Sequence, residues 1–153
     1  MNPYYRCYEA ADGFLALACL NLVQREAFIE LFDLSDATIG TPDVVPDDPH
    51  VLAEKQRVTA TIEQTIAAES VEAWLARFGA AGVPAGPVLA RETVHADVQI
   101  RANGLVQDVE QPGLGLLTML GGVFRIDGGD SATTRPAPGL GADTEAVLAE
   151  VEA

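Results

Sequence analysis

Apolar residues recur along this chain in two rhythms. From Phe14 to Leu20 they run without a break, F-L-A-L-A-C-L, directly after the turn signal A-D-G at Ala11 to Gly13. Such a run reads as a buried strand. The rhythm then becomes helical. Asn21 is placed as an N-cap, with Gln24 three residues on in a capping-box arrangement. The helix after it carries Val23, Ala27, Leu31 and Leu34 on one face, flanked by Phe28 and Phe32. Asp48-Pro49 supplies a second cap with proline at the first helical position. That helix is predicted to run to about Ala68, with Val58, Ile62 and Ile66 on one side. Ser70 caps a third, with Glu69 and Glu72 near its positive end. Val71, Trp74, Leu75 and Phe78 form its buried stripe, and Trp74, the only tryptophan, reads as core rather than as a ligand-stacking ring.

Between these elements the punctuation is strong. From Ser35 to Pro49 the chain, with T-P-D-V-V-P-D-D-P at its end, sustains neither helix nor central strand and predicts a surface loop. G-V-P-A-G-P-V-L, from Gly82 to Leu89, combines a glycine where a left-handed cap belongs with a proline that stops the helix. Pro87 lacks an N–H, which suits the start or edge of a strand. R-E-T-V-H-A-D-V predicts a short helix. L-V-Q-D-V-E and L-L-T-M-L flank Q-P-G-L-G, where Pro112 and Gly113 fit a type II turn between antiparallel strands. V-F-R-I predicts a further short strand, T-T-R-P-A-P-G-L-G an extended arm, and Asp143 a cap for a last helix bearing Val147, Leu148 and Val151. The sum is an α+β fold: helices packed on a short antiparallel or mixed sheet, then an extended arm ending in a helix. Residues 1–98 are expected to form one domain and residues 99–153 the strand pair, arm and terminal helix.

Composition narrows the function classes. The 153 residues are 48% hydrophobic, enough for a sizeable core. Acids outnumber bases 23 to 9, giving a net charge of −14. This balance excludes phosphate-neutralising nucleic-acid binding and a polybasic membrane patch. The longest apolar run is too short to span a bilayer, and M-N-P-Y-Y-R-C-Y lacks the pattern of a secretory leader. Cys7 and Cys19 form no CxxC pair and read as reduced thiols of a cytoplasmic protein.

Candidate chemistry is sparse. The chain holds no G-x-G-x-x-G, Walker loop or G-x-S-x-G. A carboxylate metal site at Asp43, Asp47 and Asp48 would lack the ligand order of a calcium loop. Pairing Cys7 or Cys19 with His95 has no support in the spacing, and His95 reads as a surface histidine. The 23 acids single out no acid–base pair. The residues themselves therefore assign no catalytic, cofactor or metal site.

Four segments in order nevertheless resemble one family. Y-Y-R-C-Y-E-A-A-D-G-F-L-A-L-A is similar to the opening of the small domain of class III CoA-transferases, the CaiB/BaiF family. A-W-L-A-R-F-G-A-A-G-V-P-A-G-P-V resembles that family's tryptophan-bearing helix and turn. Q-P-G-L-G and R-P-A-P-G-L-G-A-D-T-E-A-V-L resemble its later turn and its closing motif. The resemblance implies the C-terminal part of an acyl-CoA:carboxylate CoA-transferase. It also implies that the coenzyme A site, and the aspartate that forms the acyl anhydride, belong to a large domain upstream of Met1. No residue here matches that aspartate, so the chain alone is expected to be inactive and to bind no cofactor by itself.

Related racemases place a glutamate just after the first strand; the matching position falls near Asn21-Leu22, which favours transferase or lyase over racemase. Asn21 could face an acyl group, but its capping role comes first. The Gly82–Leu89 turn is expected near the cleft, walling the acyl end of CoA. Arg101, Arg125 and Arg135 are the phosphate partners to test if the chain does bind CoA. The alternatives are a non-catalytic interaction or dimerisation module, completing a large-domain partner or pairing with itself, and a free-standing small-molecule binder.

Overall fold

A computed structural model describes residues 2–122, 124 and 135–151. The chain divides into two compact units, Met1–Leu89 and Ala90–Ala153, so residues 90–98 group with the second. The architecture is α+β, as the periodicity predicts.

In the first unit, β1 (Tyr5–Ala10) and β2 (Gly13–Ala18) form an antiparallel hairpin with Tyr8 opposite Leu15. β3 (Ala85–Pro87) pairs antiparallel on the other side of β2, in the order β1-β2-β3. α1 spans Leu22–Glu30, α2 Pro49–Ile66 and α3 Val71–Ala80. One face of the sheet buries Tyr8, Leu15 and Leu17 against Phe28, Val58, Ile62, Ile66, Trp74 and Phe78. Alternation along the strands and a helical stripe along α2 thus meet in one core. The hairpin tip is fastened to the start of α3: the Ala11 amide donates to the Glu69 carbonyl at 2.9 Å, and the Val71 amide donates to the Asp12 carboxylate at 2.7 Å.

The caps follow the sequence. Asp48 accepts from the His50 amide and Ser70 from the Ala73 amide. α3 ends in a Schellman motif: the Val83 amide donates to the Phe78 carbonyl at 2.8 Å, and the Gly82 amide to Gly79 at 3.2 Å. Gly82 has φ +70°, and Val83 is buried against the core.

Two expectations are corrected. On α1 the buried face is Phe28 and Ile29, with Ala27 and Phe32 beside them, while Val23 and Leu31 are exposed. The helix stops at Glu30 and Asp33 takes φ 51°, so a stripe drawn through Leu31 and Leu34 crosses the end of the helix. The loop over 35–49 is also more than a surface excursion. Asp36 is buried and accepts from the Tyr4 hydroxyl at 2.9 Å and from both the amide and hydroxyl of Thr38. Lys55, the only lysine, is buried on α2 and donates its Nζ to the Pro42 and Val44 carbonyls.

In the second unit a 3-10 turn (Val94–Ala96) precedes α4 (Val98–Ala102). β4 (Val106–Gln111) and β5 (Gly115–Leu120) pair antiparallel. Their turn has Pro112 and Gly113 centrally, Gly113 at φ +80°, closed by the Leu114 amide on the Gln111 carbonyl at 3.0 Å. The Gln111 side-chain amide binds both the N–H and the C=O of Ala137, fixing the extended arm. α5 (Thr144–Val151) leaves Val147, Leu148 and Val151 exposed. Of the predicted V-F-R-I strand, Phe124 lies outside regular structure and the other three residues fall outside those described.

Candidate functional site

Two surfaces of the first unit carry the features a site needs. The first is the outer face of the sheet. Because side chains alternate, the strands that bury Tyr8, Leu15 and Leu17 must turn Tyr5, Cys7, Phe14 and Ala16 the other way. The Gly82–Leu89 turn completes this face. Gly86 lies opposite Ala16, and the Val88 amide donates to the Phe14 carbonyl at 2.8 Å. Tyr5, Phe14 and Val88 stand 60%, 48% and 46% exposed, far above what a closed core tolerates. The result is a largely apolar face with small residues at its centre and larger ones at its rim, and with Glu9 beside Phe14 at one edge.

The second surface is a small cleft of about 240 Å³ at the C-terminal end of β2, lined by Asn2, Tyr5, Cys19, Leu20, Arg25 and Asp43. Arg25 organises it. Its guanidinium donates to the Cys19, Leu20 and Ile39 carbonyls at 3.2, 3.1 and 3.2 Å. Asp43 accepts from the Asn2 side-chain amide at 2.7 Å. Sequence reasoning passed over Arg25 because it sits on the polar side of an amphipathic helix, which is the ordinary place for arginine.

Asn21 is a cap. Its side chain accepts from the Gln24 amide at 3.0 Å, and Gln24 returns to the Asn21 and Leu20 amides. Burial pushes the Cys19 thiol up to about 11, with Arg25 pulling weakly the other way, so Cys19 is a poor nucleophile at neutral pH. Cys7 is exposed on β1, in a different unit from His95. The acidic loop is spent on structure: Asp43 holds Asn2 and Asp48 caps α2. No three His, Cys, Asp or Glu side chains gather into a metal-holding group among the described residues. Trp74 is core: its ring stacks between Phe32 and Phe78, each at 5.4 Å. Arg101 is engaged by Asp108 at 2.8 Å and by the His95 carbonyl at 2.7 Å. A hydrogen bond from Thr118, and then Arg101, holds the Asp108 carboxyl below its ordinary range. Arg135 is exposed beside a hollow of about 520 Å³ that also includes Met119 and Asp143. Arg125 lies outside the described residues. No helix among those described is long and apolar enough to cross a membrane.

An α+β unit with a glycine/proline turn closing an open sheet, followed by a strand pair, an extended arm and a helix, defines a class of domain rather than a chemistry. Comparison with known proteins supplies the family. The model of CoA-transferase family III matches residues 1–144, and the chain belongs to that family. The human succinyl-CoA:glutarate CoA-transferase is 25% identical over 152 residues, covering 96% of this chain and 33% of the relative. A formyl-CoA:oxalate CoA-transferase of Escherichia coli O157:H7 is 32% identical over 128 residues, covering 74% of this chain and 28% of the relative. Among solved structures, Rv3272 from Mycobacterium tuberculosis superposes with a TM-score of 0.62 at 20% identity, over 93% of this chain and 38% of the other. A CaiB/BaiF family protein from Brucella suis gives 0.61 at 24%, over 96% and 37%. These two likenesses establish the fold. The chain spans about a third of the length of the curated relatives it matches.

Proposed function

We propose that this chain is the C-terminal portion of a cytoplasmic acyl-CoA:carboxylate CoA-transferase, and that it is inactive by itself. The relatives' names point to transfer of CoA between carboxylic acids, and about two thirds of their length has no counterpart here. The observation that carries the reading is the uncovered sheet face at Tyr5, Phe14 and Val88. An apolar wall of this kind is built to be covered, and the missing portion is its natural cover. The coenzyme A thioester, as substrate, and the nucleophilic carboxylate would then belong to that portion. Covalent catalysis needs a positioned nucleophile; at the cleft, burial keeps the Cys19 thiol protonated and Asp43 accepts from Asn2, so neither is set up as one. The contribution of this chain is shape: the Schellman cap at Gly82 and the prolines after it hold the wall rigid beside the acyl group. The exposed apolar side of α5 fits the same role, as a return segment on the large portion.

The test is isothermal titration with CoA and acetyl-CoA, on the chain alone and after adding a large-domain chain from the same genome. Silence alone, with binding and transferase activity on mixing, is the expected result. Micromolar binding by the chain alone would overturn the proposal and direct mutagenesis to Arg101, Arg125 and Arg135.

A further inference from the structure

We propose that residues 33–48 form a strap that opens as one unit while the core beneath it stays folded, and that this strap is the movable wall of the Arg25 cleft. The inference is independent of the catalytic reading. It begins with what holds the segment. Among the described residues, the backbone–backbone bonds of 35–47 close only local turns, Ile39 to Asp36, Thr41 to Thr38 and Val44 to Thr41, and no strand pairs with it. Leu34 and Ile39 are partly buried against the core, while Val44 and Val45 are exposed. The fastening is instead polar, and it comes from four side chains outside the strap. The Tyr4 hydroxyl donates to Asp36 at 2.9 Å, the Arg25 guanidinium to the Ile39 carbonyl at 3.2 Å, the Asn2 side-chain amide to Asp43 at 2.7 Å, and Lys55 Nζ to the Pro42 and Val44 carbonyls.

Charge makes this fastening costly. Lys55 is 1% exposed and Asp36 8%, yet neither is ion-paired among the described residues. Their partners are carbonyls, hydroxyls and an amide N–H. Burying a charge against neutral partners forfeits hydration that only dipoles replace. Opening returns both charges to water and so offsets the lost bonds. The core below is held differently: Phe28, Val58, Ile62, Trp74 and Phe78 pack as one apolar cluster. A segment with few apolar contacts opens at low free energy, whereas a packed core opens only with the whole unit. Overlapping turns make the opening cooperative. Thr38 gives its amide and its hydroxyl to Asp36, Thr41 bonds back to Thr38, and Val44 to Thr41. Losing the Tyr4 pin therefore loosens, in series, the turns that present Ile39 and Val44 to theirs.

Asn2 joins the strap to the cleft. Its Oδ1 accepts from the Tyr4 amide at 2.8 Å while its side-chain amide holds Asp43, and both Asn2 and Asp43 line the cleft. When the strap lifts, Asn2 loses Asp43 and Arg25 loses the Ile39 carbonyl, so the cleft of about 240 Å³ loses one wall. Arg25 keeps the Cys19 and Leu20 carbonyls. Its guanidinium thus stays seated, with one N–H released toward the widened cleft.

The experiment is native-state hydrogen exchange of the full chain in sub-denaturing urea, with pulsed labelling of amines read by peptide mass. Lys55 is the only lysine, so its labelling reports the opening at a single site. The Thr38, Ile39, Thr41 and Val44 amides should share one opening constant, at least about 100-fold above that of the Phe78 amide. Lys55 should label through the same opening, and the Tyr4 amide, covered by Asn2, should exchange with it. Ile62→Val should speed exchange at Phe78 and leave the strap and Lys55 unchanged, because the core is intact whether the strap is closed or open. Tyr4→Phe keeps the ring, removes one pin, and should speed strap exchange and Lys55 labelling about 10-fold. Four unrelated rates along the strap would mean a frayed loop and overturn the proposal. So would strap exchange or Lys55 labelling that occurs only on global unfolding, strap exchange that follows Ile62→Val, or a strap indifferent to Tyr4→Phe. A Tyr4 amide still protected while the strap opens would overturn the assignment of the strap as the wall of the cleft.

Discussion

The indole N–H of Trp74 donates to the Ile66 carbonyl at 3.0 Å, so the first fully buried residue of α3 is tied to the last turn of α2. Both partners are buried, and the indole is a second donor to a carbonyl that also accepts from the Glu69 amide at 3.3 Å. Trp74→Phe keeps the stacked ring but leaves that carbonyl with the Glu69 amide alone, and should cost about 0.5–1.5 kcal/mol. Trp74→Ala also opens a cavity beside Phe32 and Phe78 and should cost about 3–5 kcal/mol. Urea unfolding followed by far-ultraviolet dichroism separates the two, since both variants lose the tryptophan fluorescence.

Lys55 is a side chain whose charge is used to hold backbone. Lys55→Met retains the stem and removes the donor to Pro42 and Val44. Stability should fall by about 1–3 kcal/mol. The more specific readout is limited proteolysis: cleavage should appear between Ile39 and Asp48 in the variant before any global unfolding.

At φ +70°, Gly82 adopts a backbone that a side chain resists, although a Cβ there would meet no neighbour. The cost of Gly82→Ala is therefore conformational alone, about 1–2 kcal/mol. Gly82→Asn should recover part of it. Differential scanning calorimetry of the three proteins tests the order.

Gly121 presents the opposite case. Its φ is ordinary, but a Cβ would fall well inside contact with the Gly104 carbonyl oxygen, and its amide is already bonded to Leu105 at 2.9 Å. Backbone must move to admit it. Gly121→Ala should accelerate amide exchange across β4 and β5 and leave the first unit's exchange unchanged.

The two thiols should behave differently. Cys7 reacts with a thiol reagent in the folded protein at pH 8, and Cys19 only on unfolding. The raised pKa of Cys19 also has a consequence for stability. In the unfolded chain the thiol gives up its proton near the ordinary value of 9.0, whereas the folded protein retains it up to about 11. Above pH 9 the unfolded state binds fewer protons, so stability falls as pH rises. Burial raises Tyr4 and Tyr8 as well, and the fall should steepen above pH 10. Cys19→Ala should flatten the slope between pH 9 and 10 and leave the steeper part.

The helices were legible where local and tertiary signals agree. On α2 and α3 the caps, the proline at the first position and the apolar spacing all point to one face, and Val58, Ile62, Trp74 and Phe78 are buried there. The type II turn at Pro112-Gly113 was legible because its chemistry is local. α1 misled because the spacing of Leu31 and Leu34 continues a pattern that the backbone ends at Glu30. Lys55 left a readable signal: it stands three residues before Val58 on the same stripe, an unusual place for a solvated ammonium. The clasp of Tyr4 on Asp36 left none, since 32 residues separate them and only the fold brings them together. The candidate surface was the least legible. Ala16, Gly86 and Val88 form a wall only after β3 has returned to β2, and no periodicity records that meeting.

The central position of β2 has a consequence for synthesis. Its neighbour on one side is complete by residue 10, but its neighbour on the other is not made until residue 87. For most of this unit's translation, the strand bearing Leu15 and Leu17 has one side unoccupied. It can be finished only when the turn at Gly82 has left the ribosome. The sheet thus closes from both ends of the unit, and the nascent chain carries an open, apolar strand from residue 18 to residue 87 of elongation, the interval in which a chaperone would have most to protect.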